Sequence, residues 1–200
     1  MQKNKVTINT KINEVFSKTI VTYNIINNSS SPIELSVSLL KNIEKIIFSS
    51  FYAKIGNSKI MHSKVIKTEK ADEKYNDSIS SGNFAISSTL DERDKNKILV
   101  NIGNLPPQEE LIFITEYIQF LESSDNKYEH ELFRNLPQFN SNYIDSLNYE
   151  IEGIFEINTK YNIKNIKKNF LSKNLKLKEE ENNDNKILIK YEYINLKTNE

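Results

Sequence analysis

Cysteine is absent from this chain of 200 residues, and glycine and proline occur only four times each. Without cysteine there can be neither a disulfide framework nor a zinc site built on thiolates. The scarcity of glycine and proline excludes a low-complexity linker. Only Arg93 and Arg134 among the 27 basic residues are arginines, and the formal net charge is zero. Because binding to nucleic acid draws on a net positive field and on arginine, we expect no nucleic-acid partner.

Long hydrophobic runs are also missing. The first ten residues, M-Q-K-N-K-V-T-I-N-T, contain no apolar stretch of signal-peptide length. No window approaches the roughly 18 apolar residues that a membrane-spanning helix needs. Together with the absence of cysteine, this predicts a cytoplasmic protein without a membrane span.

What the chain does contain is a series of short segments with alternating polarity. Ile33, Leu35 and Val37 alternate with polar residues, which is typical of a strand with one face in water. The segment Leu111 to Leu121 is the most apolar and is predicted to be a central strand. The pattern predicts strands near residues 15–25, 33–39, 46–55, 59–66, 85–90, 98–102 and 111–121.

A second β unit is predicted from about residue 145. Apolar residues occupy every second position from Leu147 to Ile157, with Gly153 among these positions, as in a strand. Two short apolar segments, 175–177 and 187–193, flank the polar run E-E-E-N-N-D-N, which is predicted to be the tip of a hairpin. The predicted fold class is mainly β: a β-sandwich with one short helix and a small C-terminal β extension. The predicted division is a core over residues 1–125 and an extension over 126–200 that packs on it.

One segment, beginning at Thr68, has helical spacing instead. Ala71, Tyr75 and Ile79 stand at i, i+4 and i+8, on one face of a helix. Gly82 follows where a left-handed residue would end the helix. Tyr75 is expected to anchor the helix on the sheet, with its ring buried and its hydroxyl at the rim.

The spacing Ala-x3-Tyr-x6-Gly-x2-Ala in this segment resembles the signature of the VIT domain, the vault protein inter-alpha-trypsin module. Four more elements agree in order: the turn before Glu34, the A-K-I-G turn at residues 53–56, I-G-N-L-P-P at 102–107, and a strand ending at Tyr117. The resemblance covers roughly residues 15–121. The family-motif positions are Glu34, Gly56, Ala71, Tyr75, Gly82, Ala85, Gly103, Leu105, Pro106 and Tyr117.

The resemblance implies an interaction module rather than a catalyst. Such domains usually precede a von Willebrand A domain, whose metal site carries an Asp-x-Ser-x-Ser run. The segment Asp77 to Ser81 has isoleucine at the third position, so it does not match that run. The chain is therefore expected to be either a stand-alone module or a piece of a longer chain with a downstream von Willebrand A domain.

Side chains that could support catalysis are interpreted as structural or solvated. His62 and His130 are the only histidines and lack an evident partner. The adjacent carboxylates Glu109 and Glu110 lie in a predicted charged loop. The sequence therefore predicts no catalytic residue, no cofactor-binding residue, no metal ligand and no cofactor.

The favoured hypothesis is a non-catalytic protein–protein interaction or scaffold module with an unknown protein partner. Its contacts would come from surface complementarity or from strand addition at an open sheet edge, for which the hairpin 175–193 is the candidate. Two alternatives stay open. One is an adhesion or carbohydrate-binding β-sandwich, which requires export; the other is an accessory domain of a larger multidomain enzyme.

Overall fold

A computed structural model of the protein describes residues 4–40, 46–56, 60–63, 67–90, 97–124, 127–129, 138–140, 149–163, 175–183 and 185–196. In these ranges the chain forms strands and one helix, α1 (Thr68–Ser80). The strands, in chain order, are β1 (Asn4–Asn13), β2 (Phe16–Ile26), β3 (Ile33–Leu40), β4 (Ile46–Ile55), β5 (Met61–His62), β6 (Ala85–Leu90), β7 (Lys97–Leu105), β8 (Glu110–Phe120), β9 (Glu122–Ser124), β10 (Lys127–Glu129), β11 (Gln138–Asn140), β12 (Tyr149–Asn158), β13 (Leu175–Asn183) and β14 (Lys186–Leu196).

Two sheets account for most of these strands. The large sheet has eight strands in the order β13-β14-β12-β1-β2-β8-β4-β5, and the small sheet has four in the order β11-β3-β7-β6. Strands β9 and β10 pair with each other. The prediction of a mainly β, sandwich-like fold with one short helix is confirmed.

Alternating side chains of the large sheet divide it into an inner and an outer face. In β2, Val21, Tyr23 and Ile25 are buried, whereas the residues between them are partly exposed. This is the period of two that a pleated strand imposes. We call the face of the large sheet that carries Tyr23 its inner face and the opposite face its outer face.

The hydrophobic core takes side chains from both sheets. Val37, Val100 and Ile102 of the small sheet belong to the same buried cluster as Tyr23 and Phe113 of the large sheet. The rings of Tyr23 and Phe113 stack, with centroids 4.1 Å apart and planes 12° from parallel. Shared burial of this kind is what joins two sheets into one sandwich.

Strand β8 lies between β2 and β4, so the prediction of an interior strand at residues 111–121 is confirmed. In the described part of the predicted return strand after Gly56, Met61 and His62 pair with β4, and the Ser63 N–H donates to the Phe51 carbonyl over 3.0 Å. Residues 57–59 and 64–66 of that predicted hairpin lie outside the described ranges.

The C-terminal strands join the large sheet through β1, a strand that the sequence reasoning did not predict. β1 pairs in parallel with β12, from Asn4 opposite Tyr149 to Asn13 opposite Asn158. β12 then pairs with β14, and β14 with β13. The N-terminal and C-terminal ends of the chain therefore contribute neighbouring strands of one sheet.

The predicted hairpin tip at residues 179–185 is wrong over most of its length. Residues Glu179 to Asn182 belong to β13 and pair with residues 187–190 of β14. The chain reverses after Asn183, and Asp184 lies outside the described residues. Backbone pairing with the apolar strand β14 extended the ladder into a segment that composition alone marks as polar. Within the described residues, no helix is both long and apolar enough to cross a membrane.

Candidate functional site

The helix packs beside the small sheet over a glycine. A Cβ atom added to Gly103 of β7 would lie 2.6 Å from Ile79 Cδ1 and 3.0 Å from the hydroxyl oxygen of Tyr75. Real Cβ atoms essentially never come as close to another atom as the 2.6 Å to Ile79, so the absence of a side chain at Gly103 is what lets α1 approach β7. Ala71, Tyr75 and Ile79 are half-buried while the residues between them are mostly exposed, as their spacing predicted.

The phenol of Tyr75 is held in its neutral form. Partial burial raises its pKa to about 12, and the nearby carboxylate of Glu34 on β3 contributes in the same direction. Glu34 itself is exposed at the surface. Tyr75 therefore anchors the helix at the rim of the contact and remains protonated at physiological pH.

The C-terminus of α1 is fixed by backbone geometry and by one asparagine side chain. Gly82 has φ of 76° and follows the C-cap residue Ser81, and its N–H donates to the Ile79 carbonyl over 2.9 Å. Asn104 Nδ2 donates to the carbonyls of Ile79 (2.9 Å) and Asn83 (3.1 Å). Asn104 therefore links the helix end to the last residues of β7 and gives the Ile79 carbonyl a second donor.

A second asparagine joins the turn before β3 to the turn before β8. Asn27 is 1% exposed, and its Nδ2 lies within hydrogen-bond distance of the carbonyls of Ser31 (2.9 Å), Leu105 (2.9 Å) and Pro106 (3.0 Å). Its Oδ1 accepts from the N–H of Ser29 over 3.0 Å and from the Ser29 hydroxyl over 2.7 Å. A buried amide satisfied in this way locks the two turns together.

Sequence reasoning missed the roles of Asn27 and Asn104. Both stood inside segments that carried the family resemblance, the turn before Glu34 and the run I-G-N-L-P-P. The signal in the sequence that could have indicated these roles is an asparagine next to a turn, because its short side-chain amide can form hydrogen bonds with the neighbouring backbone. The signal does not reveal the distant partners: Asn27 also bonds to Leu105 and Pro106, and Asn104 bonds to Ile79 at the end of α1.

The remaining motif positions lie around this helix contact or in the ladders that support it. Ala85 begins β6 and lies opposite Gly103 in the register. Gly56 follows β4 with φ of 45°, and its N–H donates to the Glu110 carbonyl over 2.9 Å. Tyr117 lies apart, on the inner face of β8, with its ring centroid 6.0 Å from that of Phe48. The structure thus gathers most motif positions at the α1 contact and leaves Tyr117 in the core.

Among the other described residues, the titratable groups with a shifted pKa are all moved away from neutrality. Burial raises the pKa of the Tyr191 hydroxyl, which donates to the Ile8 carbonyl over 3.1 Å. A hydrogen bond from Ser49, followed by one from Lys18, lowers the pKa of the Glu116 carboxyl. Among the described residues, no three His, Cys, Asp or Glu side chains are grouped to hold a metal ion. The ring of His62 lies 5.8 Å from that of Tyr52, and His130 falls outside the described residues.

The outer face of the large sheet carries an apolar area at one end, which we call the end patch: Phe16, Ile47, Ile118 and Phe120. Phe16 lies directly opposite Phe120, and Ile47 directly opposite Ile118. Phe120 is 61% exposed, Ile47 57% and Phe16 38%. The pairing makes the patch continuous across β2, β8 and β4.

Ionised side chains occupy other positions of the outer face, and one of them, Lys18, lies directly opposite Ile118. Lys5 pairs with Glu152 at 2.8 Å and Lys18 with Glu116 at 2.9 Å. Exposed pairs of this kind add little stability, but they keep this part of the face hydrated. The end patch therefore lies directly beside the Lys18–Glu116 ion pair.

Comparisons with known proteins agree with the motif pattern. A family model, the vault protein inter-alpha-trypsin domain, matches residues 3–117. Two von Willebrand factor A domain-containing proteins of Dictyostelium discoideum are similar to the chain. One is 35% identical over 102 residues, 51% of this chain and 11% of that protein. The other is 30% identical over 149 residues, 72% of this chain and 16% of that protein. The chain thus spans between about a tenth and a sixth of the length of these relatives.

Among solved structures, an M1 zinc metallopeptidase of Deinococcus radiodurans covers 97% of this chain and 39% of its own length, at 10% identity and a TM-score of 0.43. A likeness at that level supports no inference about activity.

Proposed function

The chain belongs to the family of vault protein inter-alpha-trypsin (VIT) domains, and from this membership we propose that it is a non-catalytic module for protein–protein contact. The observation that carries the proposal is the end patch. Its exposed side chains, Phe16, Ile47 and Phe120, adjoin one another on paired strands rather than standing singly. Contiguous apolar surface of this kind marks interaction sites on soluble domains.

The position of the end patch suits a contact surface. Strand β8 pairs with β4 and β2 at Ile118 and with β2 at Phe120, so the backbone under both residues belongs to the sheet ladder. A partner that binds there loses little conformational freedom of this chain, which favours affinity. Aromatic side chains such as Phe120 and Phe16 are also common at the centres of protein interfaces.

The motif positions support this role indirectly. Tyr75, Gly103 and Asn104 use their contacts within the chain, to dock α1 and to fix its end. In the proposal they maintain the scaffold and the end patch makes the contact. The pKa of Tyr75 is raised and the pKa of Glu116 is lowered. Both shifts lead away from neutrality, whereas acid–base catalysis is most effective with a pKa near the working pH, so we assign structural roles to both groups.

A von Willebrand A domain is the partner that the relatives suggest. Both Dictyostelium proteins are described as von Willebrand factor A domain-containing, and this chain matches a small part of each. We propose that the VIT module acts beside such a domain, either on the same polypeptide or on another.

The proposal is tested by chemical cross-linking of the protein in its native cell extract, followed by mass spectrometry. The test variant carries Ile47→Ser and Phe120→Ser, which make the end patch polar. The control variant carries Ile60→Ser, because Ile60 is 48% exposed and precedes Met61, which pairs with Ala53 near the end of β4 that is farther from Ile47. We expect cross-links from β4 and β8 to one defined protein in the wild type and in the control, and their loss in the test variant.

The result also distinguishes the candidate partners. Cross-links to a von Willebrand A domain would support the suggested partner. Identical cross-links in the wild type and in the test variant would contradict the end patch as the contact surface. A catalytic turnover by the isolated chain that one substitution abolishes would contradict the non-catalytic proposal.

A further inference from the structure

The outermost strand of the large sheet, β13, has an open edge in the described part of the chain. It pairs with β14 on one side, and no described strand pairs with its other side. Lys176, Leu177 and Lys178 are exposed, as are Glu180 and Glu181. An edge of this kind presents unpaired N–H and C=O groups to any chain that can align with it.

Charge is ordered along this edge. The sequence of β13 is L-K-L-K-E-E-E-N-N, with lysines in the first half and glutamates in the second. Lys178 already pairs with Glu192 of β14. Lys176 and Glu181, by contrast, form no ion pair with another described residue, and each retains an exposed side chain.

A bulge brings these two side chains to the same face of the sheet. The register with β14 shifts between Leu177 and Glu179, so that Lys176 lies opposite Glu192 and Glu181 lies opposite Leu188. Leu188 and Glu192 are four residues apart in β14 and therefore point to one face. Without the shift, Lys176 and Glu181 would point to opposite faces, because they are separated by an odd number of positions.

We propose that β13 pairs antiparallel with β13 of a second copy of this chain. A two-fold axis through the middle of the strand would bring Lys176 of each copy beside Glu181 of the other, on the same face. A parallel arrangement would place lysine beside lysine, so the charge order selects the antiparallel one. A contact related by a two-fold axis is the commonest form of a homodimer. This inference rests on the proposed interaction function and names one partner for it.

Other features of the strand narrow its choice of partner. Edge lysines and bulges discourage indiscriminate pairing with unrelated strands. When a second copy of β13 aligns antiparallel with this edge, its lysine half lies beside the glutamate half of the first copy, and its glutamate half lies beside the lysine half. Opposite charges then meet at both ends of the strand. Specificity then comes from the repulsion of other partners as well as from attraction.

Charge reversal with complementation tests the proposal directly. The full chain is made as the wild type, as Lys176→Glu and as Glu181→Lys, and its association is measured by sedimentation at low ionic strength. We expect the wild type to dimerise and each variant alone to associate at least about tenfold more weakly, because like charges then face each other. An equimolar mixture of the two variants should restore the dimer, since each strand then meets its opposite.

A matched control for Lys176→Glu is Lys70→Glu on the exposed face of α1. It makes the same change in net charge as Lys176→Glu, at a position far from β13 in the sequence. It should dimerise like the wild type. Raising the salt concentration should weaken the wild-type dimer, because the paired charges are exposed to solvent.

Three results would overturn the proposal. The first is a wild-type chain that stays monomeric at the highest concentration it tolerates. The second is a pair of variants that fail to associate when mixed. The third is a dimer that survives both reversals but is lost with Ile47→Ser and Phe120→Ser. That last result would assign self-association to the end patch and so would sustain the interaction function while removing β13 from it.

Discussion

Two glycines illustrate how differently the two halves of this molecule are built. In the motif region, Gly103 leaves room for the side chains of Tyr75 and Ile79, which reach it from a helix some 25 residues earlier in the chain. Among the C-terminal strands, Gly153 of β12 leaves room for the Tyr191 ring, whose hydroxyl reaches over it to the carbonyl of Ile8. A new side chain at Gly103 would meet movable side-chain ends, whereas at Gly153 it would meet backbone.

The contact at Gly103 joins elements that are near in sequence, whereas the contact at Gly153 joins elements that are far apart in sequence. The helix face can be read from the spacing within one segment, and its contact residue Gly103 follows some 25 residues later in the chain. The contact at Gly153 joins β1, β12 and β14, three neighbouring strands from opposite ends of the sequence. The comparison leads us to expect that substitutions at the long-range glycine cost more stability and can be compensated less easily.

The largest effect is expected for Gly153→Ala. Its Cβ would collide with the Ile8 carbonyl oxygen and the Tyr191 ring, and the β1–β12 ladder cannot move aside without losing its hydrogen bonds. We expect the free energy of unfolding to fall by about 3 kcal/mol or more, measured by urea denaturation. The control is Ile154→Ala, since the Ile154 side chain is 37% exposed and should change stability little. A loss below about 1 kcal/mol at Gly153 would contradict the close approach.

Gly103→Ala should cost less, about 1 to 3 kcal/mol, because Ile79 and Tyr75 can rotate away. The comparison is sharpened by a double-mutant cycle with Ile79→Ala, which removes the atoms that a new Cβ would meet. We expect the double variant to be more stable than the sum of the single effects predicts, by at least about 0.5 kcal/mol. Strict additivity in the denaturation curves would mean that α1 does not rest on Gly103.

Gly82→Ile should cost about 1 to 2 kcal/mol, for a purely conformational reason. Nothing lies within 4 Å of a Cβ at this position, but φ is 76°, which a β-branched residue resists. Gly82→Asn is the control, because asparagine tolerates the left-handed conformation and should retain most of the melting temperature. An unchanged melting temperature for Gly82→Ile would show that the end of the helix does not depend on a residue in the left-handed conformation.

The smallest effect concerns alkaline pH. The folded pKa of Tyr75 is about 12 against an ordinary value of 10.0, so between these values the native state binds more protons than the unfolded state. Stability should therefore be fully present below pH 10 and decline as the pH rises towards 12. Tyr75→Phe should make this decline shallower when the melting temperature is followed across the window. A slope equal to that of the wild type would show that Tyr75 is solvated in the native state.

A residual alkaline decline is expected in the Tyr75→Phe variant. Burial also raises the pKa of Tyr191, so that residue contributes with the same sign. Adding Tyr191→Phe should flatten the curve further, although it also removes the hydrogen bond to the Ile8 carbonyl. The alkaline loss of stability at Tyr75 thus reports on the α1 contact, and the loss at Tyr191 reports on the C-terminal strands.

The sequence predicts the motif region well because its signals are local. The spacing of Ala71, Tyr75 and Ile79 gives the helix face, and Gly82 gives its end. Alternation gives β3 and most of β2. The order of these elements was sufficient to indicate the family.

Long-range pairing could not be predicted in the same way. In β1, Val6 and Ile8 alternate with Lys5 and Thr7, yet ten such residues near a terminus carry too few apolar side chains to stand out. The parallel partner of β1 lies more than 140 residues away, and no local pattern specifies it. The run Glu179 to Glu181 looks like a loop until β14 supplies its hydrogen-bond partners.

Some sequence predictions stay predictions. The division at residue 125 and the cytoplasmic location are among them, and so is the role of each motif position in contact with a partner. For Asn27 and Asn104, the physical difficulty is that an amide in a turn can bond locally or across the fold. The choice depends on strands that are placed only when the sandwich closes.

The central claim is that the C-terminal strands are integral to the large sheet, whereas α1 is a locally docked element. The most direct test of this claim is native-state hydrogen exchange of the whole chain. We expect hydrogen-bonded amides of β1 and β12 to exchange only through global unfolding, with the same free energy as those of β2. Amides of α1 should exchange through a smaller local opening. Amides of β12 and β14 that exchange at a lower free energy than those of β1 and β2 would contradict it.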